Sequence, residues 1–357
     1  MAPIYLGNTE VSKVYKGTTE VSQAYLGTNT LLATGPTNTE HFGAITYVGD
    51  RPTNAPKTGM GFRPDLVIIK GRSFSDHWSV LDSTRGANVL GTNLTDAQSS
   101  FSGFSFDSDG FTVGSSGQAN SNGETHIGWG WKATAGNTTS NGDGSITSTV
   151  QANTAAGFSI ITYTGNGSNG TVGHGLDSAP EIVITKATSR TSNWSVSGTV
   201  AGLIPGTNKL TLNGSSAISS DTNEVLAINS TTFTAGASSA VGMNNENFVA
   251  YCFHSVAGYQ KFGSYSGTGS SLEVTVGFQP RFVVIRRVDS GDRWLIVDTF
   301  RGGNTNNDSF LDFQDTLSER NMNAINGLTF NSNSFTVNTT DGALNNSSGT
   351  YFYWAIA

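Results

Sequence analysis

A motif that occurs three times constrains the fold of this chain more than any other sequence feature. Each copy has a proline that leads into an apolar run, and a tryptophan follows the proline fourteen residues later. The matching pairs are Pro64 with Trp78, Pro180 with Trp194, and Pro280 with Trp294. Both residue types are therefore separated by 116 and then by 100 residues. The shared spacing predicts three copies of one structural unit.

Each copy also closes with an apolar run whose large and small residues alternate. In the first copy, Ile127, Trp129 and Trp131 alternate with Gly128 and Gly130. Successive side chains of a strand point to opposite faces, so one face is bulky and the other nearly bare. The other copies repeat this pattern at Val249–Phe253 and Phe352–Ile356. We expect the bulky faces, with their tryptophans, to fill the core between sheets and the bare faces to let another layer or subunit approach closely.

These patterns define a fold class and a domain organisation. Turn signals are dense and no segment has a sustained helical period, which favours antiparallel strands. The sequence predicts an all-β protein, with three tandem antiparallel β-sandwich modules of jelly-roll type after a short N-terminal β-repeat anchor. The predicted boundaries are 1–33 for the anchor, 34–136, 153–258 and 259–357 for the modules, and 137–152 for a linker rich in Ser, Thr, Asn and Gly.

The N-terminal segment carries a separate repeat of ten residues. A Tyr-x-Gly unit recurs with the residues Tyr5 and Gly7, Tyr15 and Gly17, and Tyr25 and Gly27. Each unit predicts a short strand, a polar turn and a second short strand, and such a hairpin is too small to bury its apolar residues alone. Two interpretations remain open: a small β-meander docked on its own chain, and a docking module for other subunits.

Composition and charge exclude several classes of function. Charged residues make up only 13% of the chain and the formal net charge is -7, so no basic surface for nucleic acid is expected. No segment has the length of a membrane span or the pattern of a secretory signal peptide. Cys252 is the single cysteine, which excludes an intrachain disulfide and a cysteine-rich zinc site.

Motifs with catalytic or cofactor chemistry are weak. Residues 165–170 match G-x-G-x-x-G, but the following residues cannot open the helix that dinucleotide binding needs. Asp107 and Asp109 resemble the start of a calcium loop, yet no glutamate stands at its twelfth position, and a hairpin turn is the better interpretation. We therefore predict no enzyme, no cofactor and no metal site.

One polar pair recurs in two copies. Asp82 with Arg85 and Asp298 with Arg301 each begin four residues after the copy's tryptophan. A carboxylate beside a guanidinium can bind sugar hydroxyls, and a local ion pair at a strand end explains the pattern as well. Two hypotheses therefore remain for this pair, namely glycan contact and a structural ion pair.

The Tyr-x-Gly decapeptides, the modules that open with Tyr-x-Gly, and closing strings such as Asn247–Phe253 followed by Gly258–Tyr265 resemble tail-fibre and virion-surface proteins of tailed, especially marine, bacteriophages. The resemblance implies a tail fibre or short tail spike that binds host-surface polysaccharide for adsorption and has its N-terminus fixed to other virion proteins. It further implies a homotrimer on the particle surface, made in the host cytoplasm without a signal peptide, with no membrane insertion and no nucleic-acid partner.

Such fibres usually have a long shaft between anchor and tip, whereas here the first module follows the anchor closely. A head fibre or capsid decoration protein is therefore the alternative, and a glycan depolymerase is a third hypothesis. A depolymerase needs a general acid and a second carboxylate about 5–9.5 Å apart, and no carboxylate pair of that kind recurs between the copies.

Overall fold

The computed structural model describes residues 38–301, 309–321 and 327–357, and within residues 1–37 only the strands of three hairpins. Strands dominate this part of the chain, which confirms the all-β prediction. Its helices are single turns, namely α1 (Asn38–His41), α2 (Gly117–Asn120), α3 (Gly342–Asn345) and a 3-10 turn at Thr154–Ala156. None of these described helices has the length and apolar character needed to cross a membrane.

The N-terminal strands form three separate antiparallel hairpins. Their strands are β1 (Tyr5–Leu6), β2 (Thr9–Glu10), β3 (Tyr15–Lys16), β4 (Thr19–Glu20), β5 (Gln23–Leu26) and β6 (Asn29–Ala33). β1 pairs with β2, β3 with β4 and β5 with β6, each as a two-stranded sheet. The predicted strand–turn–strand units are therefore present.

Residues 42–131 form the first large sheet and a smaller one. The strands are β7 (Phe42–Val48), β8 (Lys57–Thr58), β9 (Leu66–Gly71), β10 (Ser79–Asp82), β11 (Asn88–Val89), β12 (Ser99–Ser100), β13 (Ser105–Asp107), β14 (Gly110–Thr112) and β15 (Thr125–Trp131). The first large sheet has the order β10-β9-β15-β7, the first small sheet β13-β14-β8, and β11 pairs with β12.

Residues 139–253 form the second large sheet and its small sheet. The strands are β16 (Thr139–Asn141), β17 (Ser148–Asn153), β18 (Phe158–Thr164), β19 (Gly170–Gly173), β20 (Ile182–Ala187), β21 (Ser195–Gly198), β22 (Asn208–Thr211), β23 (Ser219–Ser220), β24 (Val225–Ile228), β25 (Thr232–Ala235) and β26 (Asn247–Phe253). The second large sheet runs β16-β17-β18-β26-β20-β21-β22-β23, and the second small sheet β19-β25-β24.

Residues 260–356 contribute the third pair of sheets. The strands are β27 (Gln260–Ser266), β28 (Leu272–Thr275), β29 (Phe282–Arg287), β30 (Trp294–Asp298), β31 (Ser309–Asp312), β32 (Arg320–Asn321), β33 (Leu328–Phe330), β34 (Ser334–Val337) and β35 (Thr350–Ile356). The third large sheet runs β27-β35-β29-β30-β31-β32, and the third small sheet β28-β34-β33.

The strand after each repeated proline occupies the same place in its sheet. β9, β20 and β29 each begin two residues after the proline. Each lies between the closing strand of its copy and the strand that begins at the tryptophan or one residue after it. A proline has no N–H for the ladder, so it precedes a central strand and does not interrupt it. The prediction of a strand at Leu66–Lys70 is confirmed.

The bulky faces of all three closing strands meet in one core. A single hydrophobic cluster contains Ile127, Trp129, Trp131, Val249, Tyr251, Phe253, Phe352, Trp354 and Ile356. The ring centroids of Trp131 and Trp354 are 5.7 Å apart, and those of Phe253 and Trp354 4.8 Å apart. The bulky faces fill a core between sheets, as expected, but these sheets are the three large sheets of different copies and not the two sheets of one sandwich.

The bare faces of the closing strands pack on the small sheets. Ala250 and Cys252 lie in a cluster with residues of the second small sheet, and Ala355 in one with residues of the third. A methyl group built on Gly128 would lie only 2.5 Å from the Phe111 ring of the first small sheet. The expected close approach of another layer is therefore made by the small sheet of the same copy.

The repeated tryptophans link the three large sheets in a cycle. Trp78, Trp194 and Trp294 are all buried, as predicted. Each indole N–H donates to a main-chain carbonyl of the preceding copy, in cyclic order: Trp194 to Gly91 at 2.8 Å, Trp294 to Thr211 at 3.0 Å, and Trp78 to Asp312 and Asp315 at 3.1 Å. A buried indole needs such a partner.

The segment 137–152, which the sequence predicts to be a linker, instead contributes strands to the second large sheet. Half of these residues lie in β16 and β17, which extend the second large sheet, with Val150 opposite Ile161. Thr139, Ser140, Ser148 and Thr149 lie in these strands. Val150 is buried in the cluster between the second large and small sheets.

We predict that Trp194→Ala lowers the free energy of unfolding by about 3–5 kcal/mol, because it removes a fully buried aromatic side chain from the shared core. Trp194→Phe keeps most of the apolar contact and loses the bond to Gly91, so its cost is smaller, about 1–3 kcal/mol. Urea unfolding of the two variants measures both costs. The control is Ile204→Ala at a side chain that is 54% exposed; a cost for Trp194→Ala as small as that of this control would contradict the prediction.

Candidate functional site

The predicted attachment residues lie in the N-terminal hairpins. Tyr5, Tyr15 and Tyr25 belong to β1, β3 and β5. Gly7, Gly17 and Gly27 fall outside the described residues. The backbone pairing agrees with the predicted repeat, and the attachment role stays a prediction.

The predicted pair Asp82 and Arg85 forms a buried network at the end of β10. Oδ2 of Asp82 accepts from Nε of Arg85 at 2.5 Å and from the hydroxyl of Tyr251 at 2.7 Å. The other guanidinium nitrogens contact the carbonyls of Val80 and Asn88, the Gln98 side chain and the Tyr251 hydroxyl. The pair therefore ties the first large sheet to the second.

Asp298 and Arg301 repeat this network at the end of β30. Oδ2 of Asp298 accepts from Nε of Arg301 at 2.7 Å and from the indole of Trp129 at 3.2 Å, which ties the third sheet to the first. Gly198 and Ala201 stand at these positions in the second copy. There Trp354 instead donates to Gln260 of its own sheet at 3.0 Å.

Burial decides between the two interpretations of these pairs. The carboxylates of Asp82 and Asp298 are fully buried, and the side chain of Arg85 is only 4% exposed. Burial opposes the charged form of Arg85, but Asp82 and Tyr251 outweigh it, so the pKa of the guanidinium lies above its usual value. The structural interpretation accounts for the geometry of Asp82, Arg85, Asp298 and Arg301, whereas glycan contact by the two carboxylates is not supported, because both are fully buried.

The three large sheets meet at junctions that share one main-chain hydrogen bond and differ in their side chains. We name them by their residues: the ionic junction (Glu319 N–H to Arg72 carbonyl, 2.8 Å), the polar junction (Gln98 to Thr188, 2.9 Å) and the apolar junction (Ile218 to Val288, 2.9 Å). Arg72, Thr188 and Val288 hold equivalent positions, since each main-chain N–H donates to the first residue of the closing strand.

The ionic junction is closed by charge. Arg72 makes a bidentate pair with Glu319 at 2.8 and 2.9 Å, and Glu319 also accepts from Arg301 at 3.1 Å. Burial would raise the pKa of Glu319, but the two guanidinium groups hold it below its usual value. Arg72, Arg301 and Glu319 therefore form one charged network at this junction.

The polar junction is open. Thr188 and Gln98 replace the arginine and the glutamate, and a cavity of about 350 Å³ lies beside them. Its polar lining consists of Arg85, Gln98, Thr147, Thr149, Thr162, Thr164, Thr188 and Asn247. We call this cavity the threonine groove.

Sequence reasoning missed the threonine groove, although a signal was present. Thr147 and Thr149, and Thr162 and Thr164, are two Thr-x-Thr pairs, and period two places each pair on one face. The ladder sets Thr149 opposite Thr162. The sequence could not indicate that these pairs are neighbours, or that Gln98 of the first copy packs beside them.

A second cavity of about 480 Å³ lies in the first copy. It is lined mainly by small polar residues, including Asn54, Ser99, Ser100, Ser102, Ser115 and Gln118. Its lining comes from one copy alone, whereas the threonine groove is lined by residues of two copies.

The remaining motifs have structural roles. Residues 107 and 110 close the hairpin of β13 and β14, as predicted, and the Asp109 carboxylate accepts from the N–H groups of Gly59 and Gly61. Residues 165–170 connect β18 to β19 without a helix. Among the residues that the structure describes, no group of three or more His, Cys, Asp or Glu is placed to hold a metal ion.

Three buried cations lie at equivalent ladder positions. Lys70, Lys186 and Arg286 face Ile127, Val249 and Phe352 in register. Burial lowers the pKa of Lys70 and of Lys186 to about 8, and that of Arg286 to about 10. Lys70 and Arg286 donate to carbonyls of the neighbouring copy, those of Thr316 and Ser216, so they act as further ties between sheets.

Comparison with known proteins bears on the body of the chain. A family model described as a domain of unknown function, DUF7483, matches residues 37–357. The chain belongs to the DUF7483 family. The DUF7483 match contains all three large sheets and their small sheets, and the N-terminal hairpins precede it. No curated protein matches the chain.

We predict that Asp82→Ala lowers the free energy of unfolding by about 3–5 kcal/mol, because it leaves the buried guanidinium of Arg85 without its carboxylate. Tyr251→Phe removes one hydroxyl donor to that carboxylate, and we expect a loss of about 1–3 kcal/mol. Urea unfolding measures both. Asp298→Ala is the matched variant of the second network and should cost as much as Asp82→Ala; a cost below that of Tyr251→Phe for either aspartate would contradict the assignment.

His126 provides a pH-dependent test of burial in the first copy. Its fully buried ring stacks on Tyr47 with centroids 5.1 Å apart, and Nδ1 donates to the Glu124 carbonyl at 3.0 Å. Burial lowers the pKa of His126 to about 4, and Lys57 and Lys70 add to the shift, although Glu124 opposes it. The folded protein therefore keeps the ring neutral, whereas in the unfolded chain the ring becomes protonated near its ordinary pKa of about 6.5.

We predict that this difference stabilises the fold above about pH 6.5 and that the contribution is lost as the pH falls toward 4, with a total of up to about 3 kcal/mol. His126→Phe keeps an aromatic ring on Tyr47 and removes the titration. Unfolding free energies measured across this range should therefore fall less steeply for the variant than for the wild type. Parallel pH profiles of the two proteins would refute the prediction.

Proposed function

We propose that this chain is a virion structural protein of a tailed bacteriophage, a tail fibre or short tail spike that binds host-surface glycans and has no catalytic role. The proposal depends on the order of two parts along the chain. A segment of repeated hairpins comes first, and an all-β body with one shared core follows. The hairpins of residues 5–33 precede the DUF7483 match, which begins at residue 37. This division agrees with an attachment segment and a separate binding body.

The hairpins supply the attachment surface in this proposal. Among the described strands each is a two-stranded sheet, so both of its edges can offer backbone groups for pairing with a neighbouring chain. Hairpins of this size are marginal by themselves and gain stability when they pack on a partner. We assign this role to Tyr5, Tyr15 and Tyr25 and to their contacts with other virion proteins, and we assign homotrimer contacts to the same segment.

The body is proposed to consist of three β-sandwich modules. Each large sheet packs on its own small sheet through a separate hydrophobic cluster, which supports this division. The shared core joins the modules into one unit. In the two buried Asp–Arg pairs, the carboxylates accept hydrogen bonds from groups of the protein itself. They are therefore not free to act in glycan hydrolysis, which supports a binding role.

A head fibre or capsid decoration protein is the second candidate. The observation that favours it is the short distance between the parts: β6 ends at Ala33 and α1 begins at Asn38. A fibre with a shaft would need a long element there. In either case the chain is a surface protein of the particle, made in the host cytoplasm.

We predict that a protein truncated to begin at Gly35 folds and binds host glycans but no longer joins particles that lack the full chain, because the hairpin edges are gone. Circular dichroism establishes the fold, and incorporation is measured by sedimentation of the particles with the added protein. The full chain, added in the same way, is the control. Unimpaired incorporation of the truncated protein would place the attachment surface elsewhere, and cryo-electron microscopy that locates the full chain on the capsid shell would favour the second candidate.

A further inference from the structure

We infer that the threonine groove at the polar junction is the glycan-binding site and that it takes an uncharged, hydroxyl-rich saccharide segment. This inference rests on the function proposed above and deepens it by naming a site and a ligand class. It depends on three observations: the difference between the junctions, the hydrogen-bonding groups in the groove, and the distribution of charge around it.

The first observation is that the equivalent positions carry an ion pair at one junction, apolar side chains at another, and small or uncharged polar side chains beside a cavity at the third. Arg72 and Glu319 close the ionic junction with a bidentate ion pair, and Val288 and Ile218 place apolar side chains at the apolar junction. Thr188 and Gln98 leave about 350 Å³ at the polar junction. That volume falls in the range of about 300–1,000 Å³ for small-molecule sites.

The second observation is that the groove presents polar groups that the protein does not use. The hydroxyls of Thr147, Thr149 and Thr162 have no hydrogen-bond partner among the described residues. The side-chain nitrogens of Gln98 and Asn247 are likewise unpaired there, although their oxygens accept from Arg85 and Thr164. Hydroxyls donate and accept while amide nitrogens donate, which matches the donor and acceptor pattern of sugar hydroxyls.

The groove groups are also held in place. Thr149 and Thr162 lie opposite each other on paired strands, and Thr164 lies opposite Asn247 on the next pair. The Thr188 hydroxyl donates to the Asn247 carbonyl at 3.1 Å. A site on paired strands keeps its geometry better than one on loops, so less ordering is needed on binding.

The third observation is that the described lining of the groove carries no unpaired charge. Among the described residues that line it there is no acidic one, and Arg85 is the single cation. Every N–H of Arg85 already has an acceptor, with Asp82 beside Nε. A saccharide carboxylate would find no unpaired cation, and burying an unpaired charge is unfavourable. The groove therefore favours neutral sugars.

The test fills the groove with the residues of its closed counterpart. In the variant Thr188→Arg with Gln98→Glu, the polar junction takes the ion pair of the ionic junction. The probe is an array of neutral and carboxylate-bearing oligosaccharides from bacterial surface polysaccharides. We expect the wild type to bind neutral members and the variant to lose about tenfold or more in affinity, with an unchanged melting curve.

The matched control is Arg72→Thr with Glu319→Gln, which gives the ionic junction the residues of the open one and should bind at least as well as the wild type. A second variant, Thr149→Val with Thr162→Val, removes two hydroxyls without filling the groove and should also bind about tenfold more weakly. Its control is Thr46→Val, at the position of the first sheet that matches Thr162.

The outcomes separate the two proposals. A wild-type protein that binds no oligosaccharide of the array overturns glycan binding as the function. A wild type that binds, together with groove variants that bind equally well, leaves the function in place and overturns the groove as the site. Binding restricted to carboxylate-bearing sugars contradicts the ligand class.

Discussion

The shared core of the three large sheets is the packing on which the rest of the body depends. Each sheet turns the bulky face of its closing strand inward, and none of these faces is covered by its own small sheet. Each repeated tryptophan then donates its indole N–H to a carbonyl of the preceding copy in the cycle. Burying an aromatic ring and pairing its only polar atom across a junction makes the stability of each copy depend on its neighbours.

Around this core the three junctions keep the backbone contact and vary the side chains. The main-chain hydrogen bonds fix how the sheets meet, so residues beside them can change from an ion pair to an apolar pair or to a threonine and a glutamine. The buried residues Asp82 and Arg85 are less free to change, because replacing one of them would leave the charge of the other buried without a partner. The three copies can therefore keep the same backbone contact and still differ at a single junction, where the threonine groove lies.

The proposed function separates attachment from binding along the chain. The hairpins offer unpaired strand edges, whereas the strands of the body are arranged in larger sheets around a common core. In this proposal the hairpins contact virion proteins and the groove contacts saccharide. The Asp–Arg pairs, for which the sequence left glycan contact and a structural ion pair open, tie the large sheets together.

The all-β class, the strands after Pro64, Pro180 and Pro280, and the burial of the tryptophans followed from the sequence, because proline position and period-two alternation are local properties. The same alternation identified the bulky faces, but it could not determine what they pack against. Only the tertiary structure brought the three faces into one core, made strands of residues 139–141 and 148–153, and buried Asp82 with Tyr251. It also set Gln98 beside the Thr-x-Thr pairs. These contacts join residues far apart in the chain, so they depend on how the sheets associate, which no local pattern encodes.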